Sequence, residues 1–369
     1  MADSRAALPA TVAPGIRGIR FLRVPSYVPQ QDPKSLSTKI HFQRDSTPMN
    51  SQAMVLCTLG CMLLRAFSVS AQTTRPVRDE VGFCWDSTQM ARLVTYLEQE
   101  IRPDTDSRTP IAGISPHDDY LYAGKVYGPL FRMLRAKEVV IFGVTHGTVR
   151  REIGDPRNVL ILETFERWRG VFHPVPVSPL RDSIRASLDA RYFIVSNRAH
   201  ELEHSVEALV PFLQYYNPDI RITPVMVTGM PLERMDEVAG QLSTIIAQYI
   251  RRNGLVPGRD IVFLISSDAN HYGVDFNNTP FGEDEEAHRR GTELDRQIAA
   301  CMAGPLDSGT VRTLTAEIWG ASYSDPAPVV WCGKYSIPFG LLVIQKTMRP
   351  LGERNLEGRI LNYSDTYSG

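Results

Sequence analysis

Apolar positions along the chain follow two alternating rhythms, and each rhythm predicts a different element. Met90, Leu93, Val94, Leu97 and Ile101 fall three and four residues apart behind Asp86 or Ser87 as a cap, which predicts an amphipathic helix. Ile111 to Ser115 is a short continuous apolar run and predicts a buried strand. Val126, Leu130 and Leu134 predict a helix over Ala123 to Leu134, and Lys137 to Val144 is a second buried strand. Asn158 to Pro179 mixes strand-like runs with turns and contains His173. Ser178 to Leu188 then reads as a helix, and Tyr192 to Val195 as a short strand. Leu202, Val206, Leu209, Val210 and Leu213 return to helical spacing, with a kink expected at Pro211. Ile220 to Val227 is a strand, Leu232 to Arg252 a long helix, Asp260 to Ile265 the most strand-like run of the chain, and Glu283 to Met302 a helix with a charged face. Ser336 to Ile344 closes the pattern as a further strand or buried segment. Strands alternating with helices, with no internal repeat, predict a single α/β domain whose largely parallel sheet is covered on both faces.

Composition narrows the function classes. With 40 basic and 41 acidic residues the formal net charge is -1, so no nucleic acid or anionic membrane is called for as a partner. Residues 1–48 are rich in Pro, Arg, Ser and Gln without periodicity, and read as a disordered or untranslated extension. From Met49 an apolar run, Ala53 to Leu64, leads to Val69-Ser70-Ala71, the pattern of a secretory signal over 49–71 cut after Ala71. The alternative is an uncleaved anchor or a loosely packed helix. Cleavage implies a secreted or periplasmic protein with no stable membrane association; otherwise the chain is expected in the cytoplasm. The folded domain is then expected over 72–346, with 347–369 as a C-terminal tail. Of the five cysteines only Cys84, Cys301 and Cys332 lie beyond the signal, too few for a disulfide scaffold.

Four apolar runs end on residues able to bind metal or move protons: Ile111 to Ile114 leads to His117, Lys137 to Val144 to His146, Asp260 to Ile265 to Asp268 and His271, and APVVWC ends on Cys332. Singly, each has an ordinary reading as a hydrogen-bonded histidine or a buried thiol acting as a small hydrophobe. Jointly, strand ends in an open α/β sheet meet at one edge, where ligands bind. Two imidazoles and a thiolate there suit zinc, copper or ferrous iron, with Asp268 and His271 as an acid/base pair or as groups orienting the ligands. A competing motif is HELEH, His200 to His204, which fits the zinc-hydrolase pattern H-E-x-x-H if both histidines share a helix face. Its third ligand is undefined, with Glu233 and Asp236 as candidates. The ordinary reading makes Glu201, Glu203 and Glu207 complements of a helix dipole.

PHDDYLYAG, GVTH, EHSVEALVPFLQ, ISSDANHYG and CGKYSIPFGLL occur in the order and spacing of the Memo-like family, known in prokaryotes as AmmeMemoRadiSam system protein B, and the chain resembles that family from about Val81 to Lys346. The resemblance implies a three-layer α/β sandwich like that of the class III extradiol dioxygenases. It implies one divalent or redox-active metal ion, iron or copper before zinc, on His117, His146 and Cys332, with Asp268, His271 and His204 in the cleft. A redox or dioxygenase-like oxidoreductase acting on a small molecule is the implied role, against a non-catalytic module gripping a peptide or protein in the same cleft. The segment matching the family's E-H-S-[IVL]-E is Glu203 to Glu207, which leaves His200 and Glu201 outside it. Two departures stand out: Asp118 and Asp119 replace Ala-Gly after the first histidine, and Gly147 replaces the second histidine of an H-H pair. A carboxylate beside His117 anchors its ring or adds an oxygen ligand, or else belongs to a solvated turn.

Overall fold

A computed structural model describes residues 73–100, 109–319, 331–353 and 355–366. The extension and signal expected over 1–71 lie outside the described residues, as do Ile101 and most of APVVWC. Among the described residues no helix is long and apolar enough to cross a membrane.

The centre is a six-stranded sheet built from β2 (Ala112–Ser115), β3 (Glu138–Val144), β4 (Leu160–Leu162), β7 (Phe193–Val195), β8 (Arg221–Val227) and β9 (Ile261–Ser266), in the order β2-β9-β3-β8-β4-β7. Every neighbouring pair is parallel except β8 with β4. Alternate residues of one strand enter opposite layers: Val140 and Phe142 join one apolar cluster, Val139 and Ile141 the other. Such strands are buried on both faces, which is why they stand in the sequence as continuous apolar runs. Three smaller elements, β1 (Thr74–Arg75), β5 (Arg167–Trp168) and β6 (Val175–Pro176), form a second sheet, and β10 (Gly304–Pro305) pairs with β11 (Glu357–Gly358).

Helices cover the two faces. On one lie α1 (Ser87–Glu100), α2 (Tyr120–Phe131) and α6 (Val210–Tyr216). On the other lie α4 (Pro179–Ser187), α7 (Leu232–Arg252), α8 (Glu285–Ala300), α9 (Ser308–Trp319) and α10 (Ser336–Leu351). Two short helices, α3 (Gly147–Glu152) and α5 (Asn197–Leu202), follow β3 and β7. Asp86 caps α1 as its spacing predicts, accepting the Thr88 and Gln89 N–H groups at 2.9 Å. Pro211 lies in the first turn of α6, where its missing N–H is harmless, and does not kink a longer helix. The segment from Ser336 is a helix, not a strand. It is buried nearly all round, so it lacks the polar stripe that distinguishes a helix in sequence.

The segment before α1 ties the loop after α5 in place. Arg75, 1% exposed, forms an ion pair with Glu207, itself 1% exposed. Its guanidinium also donates to the carbonyls of His200 at 2.7 Å and Glu203 at 2.8 Å, and stacks over Trp168 at 4.4 Å. Burial brings the guanidinium down to about 9, with Glu203 and Asp79 opposing, so it stays charged at neutral pH. Glu207 takes the N–H groups of Arg78 and Asp79 as well. Arg75→Ala leaves the Glu207 carboxylate buried without its cation. Urea unfolding is expected to show a loss of about 3–5 kcal/mol, with little recovery in Arg75→Lys because an ammonium cannot span the same acceptors. A loss within about 1 kcal/mol would show that the segment is not a clamp.

Candidate metal centre

Three adjacent parallel strands, β2, β9 and β3, end in register at one sheet edge, with Ser115 opposite Ser266 and Ile265 opposite Phe142. His117 follows β2, Asp268 follows β9 and His146 follows β3, so residues distant in sequence emerge side by side. The loop carrying Glu203 to Ser205 crosses the end of β3, where the Ser205 hydroxyl accepts the Val144 N–H at 2.9 Å. That approach requires Gly143, since a β-carbon there would stand 2.6 Å from Val206 Cγ2.

His117 is fully buried. Ser266 Oγ donates to the Ser205 carbonyl at 2.5 Å and is 2.7 Å from His117 Nδ1, so His117 Nδ1–H is the donor in that bond. Nε2 is thereby left without a proton, 3.3 Å from Cys332 Sγ and 3.1 Å from Asp268 Oδ2. His146 is built the same way. Its Nδ1 lies 2.8 Å from Glu203 Oε1 and its backbone N–H donates to Oε2 at 2.9 Å, which leaves Nε2 as its uncommitted ring nitrogen. Burial opposes charge on His146, yet the Glu203 charge and hydrogen bond outweigh it and raise its pKa.

His204 stacks on His146 with centroids 4.8 Å apart and meets His117 edge-on at 5.3 Å. Arg78 Nη1 lies 2.8 Å from His204 Nδ1; a guanidinium can only donate, so His204 carries its proton on Nε2. Burial, together with neighbouring imidazoles, brings His117 and His204 each down to about 4, so both are neutral at pH 7.

Cys332 is a free thiol in the turn before α10. It accepts the Asp268 N–H at 3.0 Å, and the turn fits because Gly333 has no β-carbon to strike Ser267 Oγ. Burial, reinforced by Asp268, pushes the thiol well above its ordinary pKa, so it keeps its proton, 3.3 Å from His117 Nε2. Burial works against charge on Asp268 too, but His117, His271 and the His117 N–H hold its carboxyl well below the usual range. His271 Nε2 is 3.7 Å from Asp268 Oδ2, beyond hydrogen-bond length, and has no other partner among the described residues.

Ligand atoms of His117, His146 and Cys332 all lie within 4.8 Å of one another. The same closeness holds for His146, Glu203 and His204, and for Asp268, His271 and Cys332. The chemistry separates these groups. Glu203 is spent on four hydrogen-bond donors and His204 Nδ1 on Arg78, so that group is already satisfied. His117 and His146 instead have their Nδ1 atoms occupied, which leaves Nε2, beside the Cys332 thiol in the case of His117, as the atom that would meet a metal.

HELEH does not form the zinc-hydrolase arrangement. Helix α5 ends at Leu202 and Glu203 is extended, so His200 and His204 never share a helix face. His200 is fully buried, lies 3.0 Å from the Ile161 carbonyl through Nε2, and belongs to none of the three ligand groups among the described residues. Glu233 lies in the first turn of α7, and Asp236 pairs with Lys346. Asp118 is exposed, its carboxylate taking the Asp119 N–H at 2.7 Å, and Asp119 lies against Gly82, so the solvated turn is the reading that matches. A side chain at Gly147 would meet only ordinary contacts, so nothing steric demands glycine there. Glu203, Ser266 and Arg78 are the site residues that sequence reasoning missed. Glu203 and Ser266 stand inside quoted motifs, but their partners are 57 and 149 residues away.

A family model described as Memo-like protein matches residues 85–367. The chain is similar to a MEMO1 family protein of Methanosarcina barkeri, 28% identical over 183 residues, 48% of this chain and 62% of that protein. A MEMO1 family protein of Pyrobaculum arsenaticum is 32% identical over 169 residues, 44% and 53% of the two chains. One of Thermotoga maritima is 27% identical over 188 residues, 48% and 62%. The chain thus spans 53% to 62% of the length of these relatives.

His200 gives the region a signature in acid. Burial holds its pKa at about 4 against 6.5 for the free imidazole. The folded state therefore binds fewer protons than the unfolded state between those values, and stability falls as pH drops through that window. Between pH 7 and pH 5 the loss assigned to His200 is on the order of 2 kcal/mol. Urea midpoints of His200→Gln should fall less over that range than those of the wild type; parallel profiles would contradict the assignment.

Proposed function

The chain belongs to the Memo-like protein family, and on that premise we propose that it is a mononuclear metal-binding protein with His117, His146 and Cys332 as ligands and redox or dioxygenase-like chemistry on a small molecule. The observation that carries the reading is the set of three converging donor atoms whose two imidazoles are oriented from outside by Ser266 and Glu203. Two neutral imidazoles and a thiolate favour iron or copper, with zinc also accommodated. Such an ion would supply Lewis acidity or an electron-transfer couple. The protein's own groups do the rest. Asp268 holds the His117 backbone and faces His271, whose unpartnered Nε2 is the atom to accept or deliver a proton. His204, kept as the Nε2–H tautomer by Arg78, is a hydrogen-bond donor to a bound molecule.

A second reading, ligand capture without turnover, draws on Val274 and Phe276, exposed on the turn after His271, with the Phe276 ring 5.0 Å from that imidazole. An apolar peptide or protein segment is the occupant it would take. The proposal extends to location: a cut after Ala71 would release an extracytoplasmic chain that keeps Arg75.

Elemental analysis of purified wild type is expected to find about one metal per chain, with affinity reduced at least about tenfold in His117→Ala and Cys332→Ser and retained in His200→Ala. Loss confined to His200→Ala would overturn the ligand assignment. Oxygen consumption by the loaded protein with catechol-like substrates supports the dioxygenase-like reading. Metal-independent binding of apolar peptides, with no oxygen uptake, supports the second.

A further inference from the structure

We propose that Asp295, a carboxylate on α8 outside the pocket, is a positioning residue that sets where Cys332 and the Asp268–His271 turn stand, with the C-terminal segment around Tyr363 as part of the same frame. The inference rests on the metal-centre reading above.

Asp295 faces the core of α8 at 5% exposure, with no ion-pair partner among the described residues. A buried carboxylate without a cation is unfavourable, and an apolar residue would pack a helix face better. Burial accordingly pushes its carboxyl upward, with the hydrogen bonds it receives pulling the other way. Those bonds define its use. Oδ1 accepts the Trp331 indole N–H at 2.7 Å; Oδ2 accepts the Tyr363 hydroxyl at 3.2 Å and, at a longer 3.4 Å, the Asn270 N–H. Trp331 directly precedes Cys332, and Asn270 lies between Asp268 and His271. Asn270 and Trp331 also pair through their backbones as an antiparallel bridge.

One side chain therefore grips both partners of the bridge, next to which Cys332 and His271 stand. The tail is drawn into the frame by further contacts: Thr292 reaches Asp365 at 3.4 Å, and Arg296 stacks over Tyr363 at 5.2 Å. The Cys332 sulfur must stand close to His117 Nε2 for the two to act together, and ligand sets lose affinity when their supports loosen. A carboxylate can accept several donors at once, which no apolar residue can do.

Cobalt(II) titration, read by the sulfur-to-cobalt absorption band and by affinity, tests this. Wild type should show the band and Cys332→Ser should lose it. Wild type without cobalt binding would overturn the metal centre and this inference together, before any frame variant is compared. Asp295→Leu is expected to bind about tenfold more weakly with a diminished band, Asp295→Asn to recover part of both, and Trp331→Phe, which leaves the carboxylate in place, to lose band intensity while circular dichroism stays that of the wild type. Wild-type affinity and band in folded Trp331→Phe would overturn the positioning role and leave the metal centre standing. Should Asp295→Leu fail to fold, Trp331→Phe still decides the matter.

Discussion

The Glu203 carboxylate is buried with four hydrogen-bond donors gathered on it: the ring and the backbone N–H of His146, and the backbone N–H groups of His204 and Ser205. Burial alone would push its proton affinity up, but the His146 charge and those bonds hold it well below the usual carboxylate range. A charge kept in the interior on these terms makes its neighbours obligatory, because removing any one leaves it undercompensated. The demand runs outward in two directions. Toward the pocket it fixes the tautomer and angle of His146. Away from the pocket it requires the backbone of Glu203 to stay in place, which Arg75 secures by holding the carbonyls of His200 and Glu203 while neutralising Glu207. Strand β1, through Arg75, is thus mechanically part of the site.

Parallel pairing explains why the remaining donors meet. β2, β9 and β3 run the same way and end within a residue or two of one another, so the turns that follow them open onto a common edge. An antiparallel neighbour would have sent its turn to the opposite end, as β4 does beside β8. The apolar layers on both faces hold the strands, and Glu203 and Asp268 stand where the turns after β3 and β9 open.

The strands of that edge were legible because each is buried on both sides and so appears as an uninterrupted apolar run with a polar residue at its end. Leu232 to Arg252 was legible for the opposite reason, a clean division between buried Met235, Val238, Leu242, Ile246 and Ile250 and a charged outer face. Ser336 to Leu351 satisfies neither rule, since Ile337, Phe339, Val343 and Ile344 are buried around the whole circumference, and length alone separates such a helix from a strand. Convergence of His117, His146, Asp268 and Cys332 could be argued from their places at run ends. The supports could not. Glu203 looks like a complement to a helix dipole until the helix is seen to stop at Leu202, and Ser266, Arg75 and Asp295 act through partners that no local spacing reveals.

Those supports also set the electrostatic field of the pocket. Glu203 and Asp268 are charged and almost dry, yet each is committed to backbone donors, so they act as a fixed negative field around the imidazoles and a protonated thiol. In that field His117 Nε2 and Cys332 Sγ lie 3.3 Å apart and share a single proton between them. Two lone-pair donors at that distance require something positive between them, and the thiol proton is the least that meets the requirement. Under the metal-binding proposal Cys332 surrenders that proton as a larger charge takes its place, so occupancy is linked to proton release and strengthens as pH rises. HELEH, with one histidine turned into the core and the other bonded to Arg78, has no such pair of waiting donors, which is the physical reason its spacing carries no chemistry here.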